Sequence, residues 1–146
     1  MRILLTGGSG MVGRSFTDHP LSRSYDLIAP TRAELNLLDE QATKKFVKSV
    51  APDLVLNASG RVGGIQANIA EPVLFLLENT RIGLNLVSAA HEAGVPYFIN
   101  LGSSCMYPRD AENPLSEQQI LRGALEPTNE GYALAKILVA KYCEYI

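Results

Sequence analysis

Arg2-Ile3-Leu4-Leu5-Thr6-Gly7-Gly8-Ser9-Gly10-Met11-Val12-Gly13 opens the chain, and its reading decides the fold. A short apolar run stopped by glycine predicts a strand buried on both faces, and Met11 to Asp18 predicts the first helix. Gly7, Gly10 and Gly13 fall at a G-x-x-G-x-x-G spacing between the two. The strand must turn sharply into the helix there, and the helix N-terminus offers free N–H groups and a partial positive charge to an anion. Side chains at the glycine positions would hold a pyrophosphate away from the backbone. A glycine triad alone marks many tight turns; placed after a buried strand and before an apolar helix, it points to dinucleotide binding. The backbone contacts of such a loop fall on Gly7, Gly10, Met11, Val12 and Gly13.

Beyond this stretch, apolar bursts alternate with helix-period segments, the pattern of a parallel sheet wrapped by helices. Tyr25 to Ala29 predicts a second strand and Glu34 to Leu38 a third. Asp39 caps a helix running to Val50, with Ala42, Phe46 and Val50 on one face. Asp53 to Asn57 is the next strand, followed by a loop carrying Gly60, Gly63 and Gly64. A long helix spans Pro72 to Ala93 and stops at Gly94. Tyr97 to Leu101 is a further buried strand, Gly102 to Pro127 a proline-dotted loop, and a last helix starts near Thr128. The fold class is therefore α/β, a Rossmann-like doubly wound parallel sheet. The last helix carries no stop signal through Ile146, so the chain reads as an incomplete domain lacking later strands.

The 146 residues are 47% hydrophobic and 19% charged with a net charge of -2, which suits one soluble domain and shows no basic surface for nucleic acid. Neither a signal peptide nor a membrane span fits the apolar runs. Two distant cysteines, Cys105 and Cys143, make no disulfide framework, and a cytoplasmic location is expected. No metal-ligand cluster is expected.

Several further positions bear on chemistry. No acidic residue ends the second strand, where an NAD enzyme would hold the ribose 2′-hydroxyl; Arg32 stands just beyond it. A guanidinium there suits the 2′-phosphate of NADP, and a solvated loop arginine is the plainer alternative. Asp39 has two readings, the adenine edge or a helix cap. Ala58, in Asn57-Ala58-Ser59-Gly60, lets the backbone pass a cofactor or simply begins a loop. Tyr132-Ala133-Leu134-Ala135-Lys136 puts a phenol and an ammonium on one helix face, where the charge is expected to lower a phenol pKa of about 10. Ser103-Ser104 ends the preceding strand with hydroxyls for a substrate oxygen. Cys105 reads as a carbon-acid base if its thiolate is accessible, or as a small buried hydrophobe.

Together, the glycine loop, the strand-end serine and Tyr-x-x-x-Lys resemble the extended short-chain dehydrogenase/reductase family. Arg61-Val62-Gly63-Gly64-Ile65-Gln66-Ala67-Asn68, Leu101-Gly102-Ser103-Ser104-Cys105-Met106-Tyr107-Pro108 and Leu125-Glu126-Pro127-Thr128-Asn129-Glu130 are similar to the GDP-L-fucose synthases within it, as is Glu34-Leu35-Asn36-Leu37-Leu38-Asp39. The resemblance implies NADP(H) as cofactor and the epimerisation and reduction of GDP-4-keto-6-deoxy-D-mannose to GDP-L-fucose. It implies that Tyr132 protonates the carbonyl oxygen and that Lys136 holds the nicotinamide ribose. It further implies that Ser103 bonds the keto oxygen, Cys105 is the epimerisation base, and Asn79 lies near the nicotinamide. A homodimer is implied as well.

Two departures stand out. Gly131 replaces a proline common before the tyrosine. The family's second epimerisation partner, a histidine, has no counterpart, because His19 and His91 match neither place nor context. A sugar-nucleotide domain is likewise missing from the 146 residues. The chain alone is therefore expected to be inactive and poorly stable, with Tyr97–Leu101 as an exposed apolar edge. Two other functions fit parts of the pattern: a sugar-nucleotide epimerase or dehydratase that regenerates NAD, and a non-catalytic NADP-binding sensor module.

Overall fold

The computed structural model describes residues 1–146. Four strands, β1 (Arg2–Thr6), β2 (Asp26–Ile28), β3 (Leu54–Asn57) and β4 (Tyr97–Asn100), form one all-parallel sheet in the order β2-β1-β3-β4. Parallel neighbours require crossovers, and α1 (Met11–Asp18), α2 (Glu40–Val50) and α4 (Pro72–Glu92) supply them. A shorter helix, α3 (Ile65–Ala70), and a final helix, α5 (Glu130–Tyr145), complete the set. No helix is long and apolar enough to cross a membrane.

The chain forms two compact units. The first comprises Met1–Gly60, Arg81–Leu101 and Ile146; the second comprises Arg61–Thr80 and Gly102–Tyr145. In the first, Ile3, Leu5 and Leu56 form one buried cluster with Phe16, Leu54 and Leu101 packed against it. Leu4, Val47, Val55, Leu86, Ala89 and Ala90 belong to another. The alternation of Ile3 and Leu5 against Leu4 is the two-faced burial expected of a parallel strand. In the second unit, Met106, Leu125, Ala133 and Ile137 form the core, with Cys105, Tyr107, Ile120 and Ala140 against it.

The register aligns Thr6 with Asn57 and Asn57 with Asn100. Thr6 Oγ1 donates to Asn57 Oδ1 at 3.0 Å, and Asn57 Nδ2 donates to Asn100 Oδ1 at 2.9 Å. These bonds tie the carboxyl ends of β1, β3 and β4. Strand order reverses at β1, so the ends of β1 and β3 flank the position where α/β sheets open a crevice for ligands.

The expected third strand at Glu34 to Leu38 does not form. Leu35 and Leu37 are buried with the alternation of a strand, but the backbone turns: Leu35 N–H donates to Thr31 O at 2.9 Å and Asp39 N–H to Asn36 O at 3.0 Å. On α2, Ala42, Phe46 and Val50 are half-buried, with Phe46 packed against the core, and the fully buried residues are Thr43 and Val47, the Thr43 hydroxyl donating to Asp39 O at 2.7 Å. Residues 65–70, expected as loop, form α3, held at its start by Asn68 Nδ2 donating to Gly63 O and Gly64 O at 3.0 and 3.1 Å. β4 lies at the sheet edge, where Tyr97 and Ile99 are exposed as the apolar edge was expected to be, but it is not the buried strand its apolar run suggested, because no later strand covers it here and none of its residues is buried.

Candidate active site

In the first unit the glycine loop is shaped by three close approaches. Gly7 has φ +76°, and a Cβ there would lie 2.5 Å from Ala58 O. A Cβ on Gly13 would lie 2.1 Å from Gly7 O. Gly10 N–H donates to Gly7 O at 2.9 Å, closing the turn, and Arg14 Nε braces it from outside on Ser9 O at 2.8 Å. Gly10 is the N-cap of α1 and brings no side-chain cap, so the first N–H groups of the helix are left to a ligand. Met11 is 85% exposed and Val12 48%, apolar side chains standing beside those N–H groups. A backbone cradle that any Cβ would fill, at a helix N-terminus, fits the pyrophosphate of a dinucleotide. Ala58 belongs to it twice: its C=O faces Gly7, and its N–H donates to Thr6 O at 3.1 Å.

Arg32 is exposed in the turn after β2. Thr31 N–H and Oγ1–H donate to Glu34 Oε2 at 2.7 and 2.8 Å, fixing that turn and holding the Glu34 carboxyl below the usual carboxylate range. Of the two readings for Asp39, the structure supplies the cap: its Oδ1 accepts from Ala42 N–H at 2.9 Å. His19 is a cap as well, Nδ1 accepting from Leu21 N–H at 3.2 Å.

The second unit gathers Ser103, Cys105, Tyr132 and Lys136. Ser103 precedes a 3₁₀ turn, Ser104–Met106, and its Oγ accepts from Cys105 N–H at 3.3 Å. Tyr132 is hydrogen-bonded to Ser103. Lys136 Nζ lies 5.7 Å from the centre of the Tyr132 ring, as the i, i+4 spacing requires. The expected lowering of the Tyr132 pKa by this ammonium is overturned. Burial pushes the phenol above its usual value, and the Ser103 bond opposes that only in part. Burial also pushes Lys136 below its ordinary value.

Two asparagines that sequence reasoning weighted little prove central in this unit. Asn129 Nδ2 donates to Cys105 Sγ at 3.1 Å. Asn79, 5% exposed, accepts from Arg61 N–H at 2.9 Å and donates to Arg61 O at 3.0 Å and Phe75 O at 2.7 Å. It clamps the glycine-bearing loop after β3 to α4. Arg61 itself pairs with Glu71 and Glu78 and lies 5.4 Å from the centre of the Phe75 ring. Gly131 has its own cause: a Cβ there would lie 2.7 Å from Pro72 O.

Residues 3–146 match the family model described as NAD dependent epimerase/dehydratase family. The chain is 51% identical to the GDP-L-colitose synthase of Yersinia pseudotuberculosis over 146 residues, which is 100% of this chain and 47% of that protein. It is 48% identical to the GDP-L-fucose synthase of Azorhizobium caulinodans over 145 residues, covering 99% and 46% respectively. The solved GDP-mannoheptose C4 reductase of Campylobacter jejuni, with NADP bound, superposes with a TM-score of 0.92 at 32% identity, over 99% of this chain and 46% of that one. The chain spans about half the length of the curated relatives it matches.

Proposed function

The chain belongs to the NAD dependent epimerase/dehydratase family, and from that premise we propose that it is the cofactor-binding portion of an NADPH-dependent enzyme of GDP-sugar synthesis. The reaction we assign is epimerisation and reduction of GDP-4-keto-6-deoxy-D-mannose to GDP-L-fucose. One observation carries this: Ser103, Cys105 and Tyr132 stand together, a proton donor, an oxygen ligand and a thiol, with an ammonium on the donor's own helix face.

The glycine cradle of Gly7, Gly10 and Gly13, with Met11, Val12 and Ala58, would hold the cofactor pyrophosphate. Arg32 would pair its 2′-phosphate, Asp39 would act by fixing the adjacent helix start, and Lys136 would bind the nicotinamide ribose. Asn79 would serve the same end by holding the Arg61 loop. NADPH supplies a hydride when bound. The protein's own steps are transfers of protons. Cys105 removes a proton from a carbon beside the ketone, and the electron pair moves onto the keto oxygen. Ser103 and Tyr132 stabilise that oxygen, and Tyr132 gives it a proton during reduction. With its pKa raised from an ordinary value of about 10, the Tyr132 phenol is protonated at neutral pH, as an unperturbed phenol also is, and so has a proton to give. The same reading makes the enzyme a cytoplasmic homodimer with a sugar-nucleotide site formed in part by residues other than these.

The test is turnover by the intact protein with the keto sugar and NADPH. GDP-L-fucose should form with NADPH consumed, and Tyr132→Phe should lower kcat by on the order of 10²- to 10⁴-fold, the range for a lost general acid. NADPH binding without turnover would establish a sensor, and turnover without NADPH consumption an epimerase or dehydratase. The 51% identity to a GDP-L-colitose synthase favours a second reading, a different GDP-linked sugar product, which product analysis of the same assay separates.

A further inference from the structure

We propose that Asn129 is a positioning residue for Cys105, holding Sγ by an N–H···S bond that fixes its direction. The inference rests on the assignment of Cys105 as epimerisation base. Asn129 Nδ2 lies 3.1 Å from Cys105 Sγ, a short approach for a bond to sulfur. An amide N–H donating to sulfur fixes the direction in which the remaining sulfur lone pairs point. Unlike a histidine or lysine partner, the amide neither titrates nor competes for the proton.

The local structure keeps that amide in place. Pro127–Asn129 is a 3₁₀ turn opened by Pro127. The Glu126 carboxylate accepts from Thr128 N–H at 3.2 Å and from Thr128 Oγ1 at 3.0 Å, and Asn129 N–H donates to Glu126 O at 3.2 Å. The turn runs directly into α5, three residues before Tyr132. On the cysteine side, Cys105 N–H is held by Ser103 Oγ at 3.3 Å. Cys105 is thus held at two points, its backbone N–H by the residue before its turn and its sulfur by the residue just before the tyrosine's helix. The other arm of the Asn129 amide, Oδ1, is buried and accepts no hydrogen bond from the protein. A buried amide oxygen left unsatisfied costs stability, so packing alone does not account for an asparagine here.

The step it serves is balanced without further groups. Sγ takes the carbon-bound proton as the C–H bond breaks, the electron pair becomes the enolate, solvent water returns a proton to carbon, and the hydroxide so formed takes the thiol proton, restoring water and the thiolate. In D₂O without NADPH, the keto sugar therefore gains deuterium. The experiment compares the intact protein with Cys105→Ser, Asn129→Leu and the isosteric Asn129→Asp, which offers no N–H. Deuterium uptake should fall by on the order of 10- to 100-fold in both Asn129 variants, the range of a lost hydrogen bond to an anion. NADPH binding, in which neither Cys105 nor Asn129 takes part, should change by less than about threefold.

Uptake near the unsubstituted rate in either Asn129 variant, with Cys105→Ser inactive, overturns the inference while keeping Cys105 as base. Parallel losses of uptake and NADPH binding in both Asn129 variants also overturn it, because a merely structural role predicts them. Normal uptake in Cys105→Ser, or none in the unsubstituted protein, removes the underlying assignment and this inference with it.

Discussion

Gly13→Ala is the sharpest perturbation of the cofactor cradle. Gly13 is the buried residue of α1, and the added Cβ would meet three backbone atoms: Gly7 O at 2.1 Å, Gly8 Cα at 2.6 Å and Gly7 C at 2.8 Å. No side chain can rotate to relieve this. Restoring an ordinary separation of roughly 3.5 Å requires α1 and the turn to part by about 1 Å. Overpacking costs about 1–3 kcal/mol, and the Gly10 N–H to Gly7 O bond that closes the turn contributes about 1 kcal/mol more, so about 2–4 kcal/mol is expected. With a urea m-value of about 1–3 kcal/mol per molar, the unfolding midpoint should fall by about 1–2 M. The helix N–H groups move with the helix, so NADPH should bind at least about tenfold more weakly, the loss of one hydrogen bond to a charged phosphate. Gly64→Ala is the control. Nothing lies within 4 Å of its Cβ, and only the N-cap of α3 is altered, worth about 1 kcal/mol or less. Cofactor fluorescence and urea unfolding read both quantities. A Gly13→Ala protein that binds NADPH within about twofold of the unsubstituted protein and unfolds within about 0.3 M of it would refute the cradle.

Arg32→Ala should weaken NADPH binding by on the order of 10- to 100-fold and leave NADH binding unchanged, since only the former has a 2′-phosphate to lose; equal effects on both would return Arg32 to a solvated loop. Tyr132 should ionise above the ordinary tyrosine range, read as the change in phenolate absorbance between the unsubstituted protein and Tyr132→Phe. A raised folded-state pKa means that its contribution to stability is complete below the unfolded pKa of about 10 and is lost as pH rises through the folded value. Titration below the ordinary range would instead mean that the Lys136 charge governs it. Ala51→Gly should stabilise the protein by about 0.5–1 kcal/mol, because Ala51 ends α2 in the left-handed region at φ 45°; a lower unfolding midpoint would contradict this.

Local signals were strong where one physical cause acted alone. Glycines at 7 and 13 mark backbone approaches that no other residue permits, since an added Cβ would lie 2.5 Å from Ala58 O and 2.1 Å from Gly7 O respectively. Strand positions were legible because apolar runs this short can only be buried strands or helix segments, and flanking glycines and caps arbitrate. The Glu34 to Leu38 segment failed because burial of Leu35 and Leu37 satisfies the same alternation whether the backbone extends or turns. Side-chain partners were least legible. The Asn129 contact with Cys105 spans 24 residues and the Arg61–Asn79 clamp 18 residues, and neither has a periodic signature. The sign of the Tyr132 shift failed for a related reason: spacing reveals the neighbouring ammonium but not the burial that outweighs it.

The strand ends show how far a local pattern can be extended once the register is known. Each of β1, β3 and β4 closes an apolar run with a polar residue, Thr6, Asn57 and Asn100, and any one of these reads as an ordinary exit to a loop. Parallel pairing places all three at one level, and only then can they bond side by side. Asn57 Oδ1 also accepts from Ser59 N–H at 3.1 Å, so the belt that ties the strands sets the direction in which the chain leaves β3. That direction places Ala58 O against Gly7, where only glycine fits. A buried polar network of this kind costs stability if any member is left unpaired, and its members are paired along the row. The glycine at position 7 is thus required twice: by its own left-handed turn, and by an asparagine 50 residues away, whose amide brings Ala58 to it.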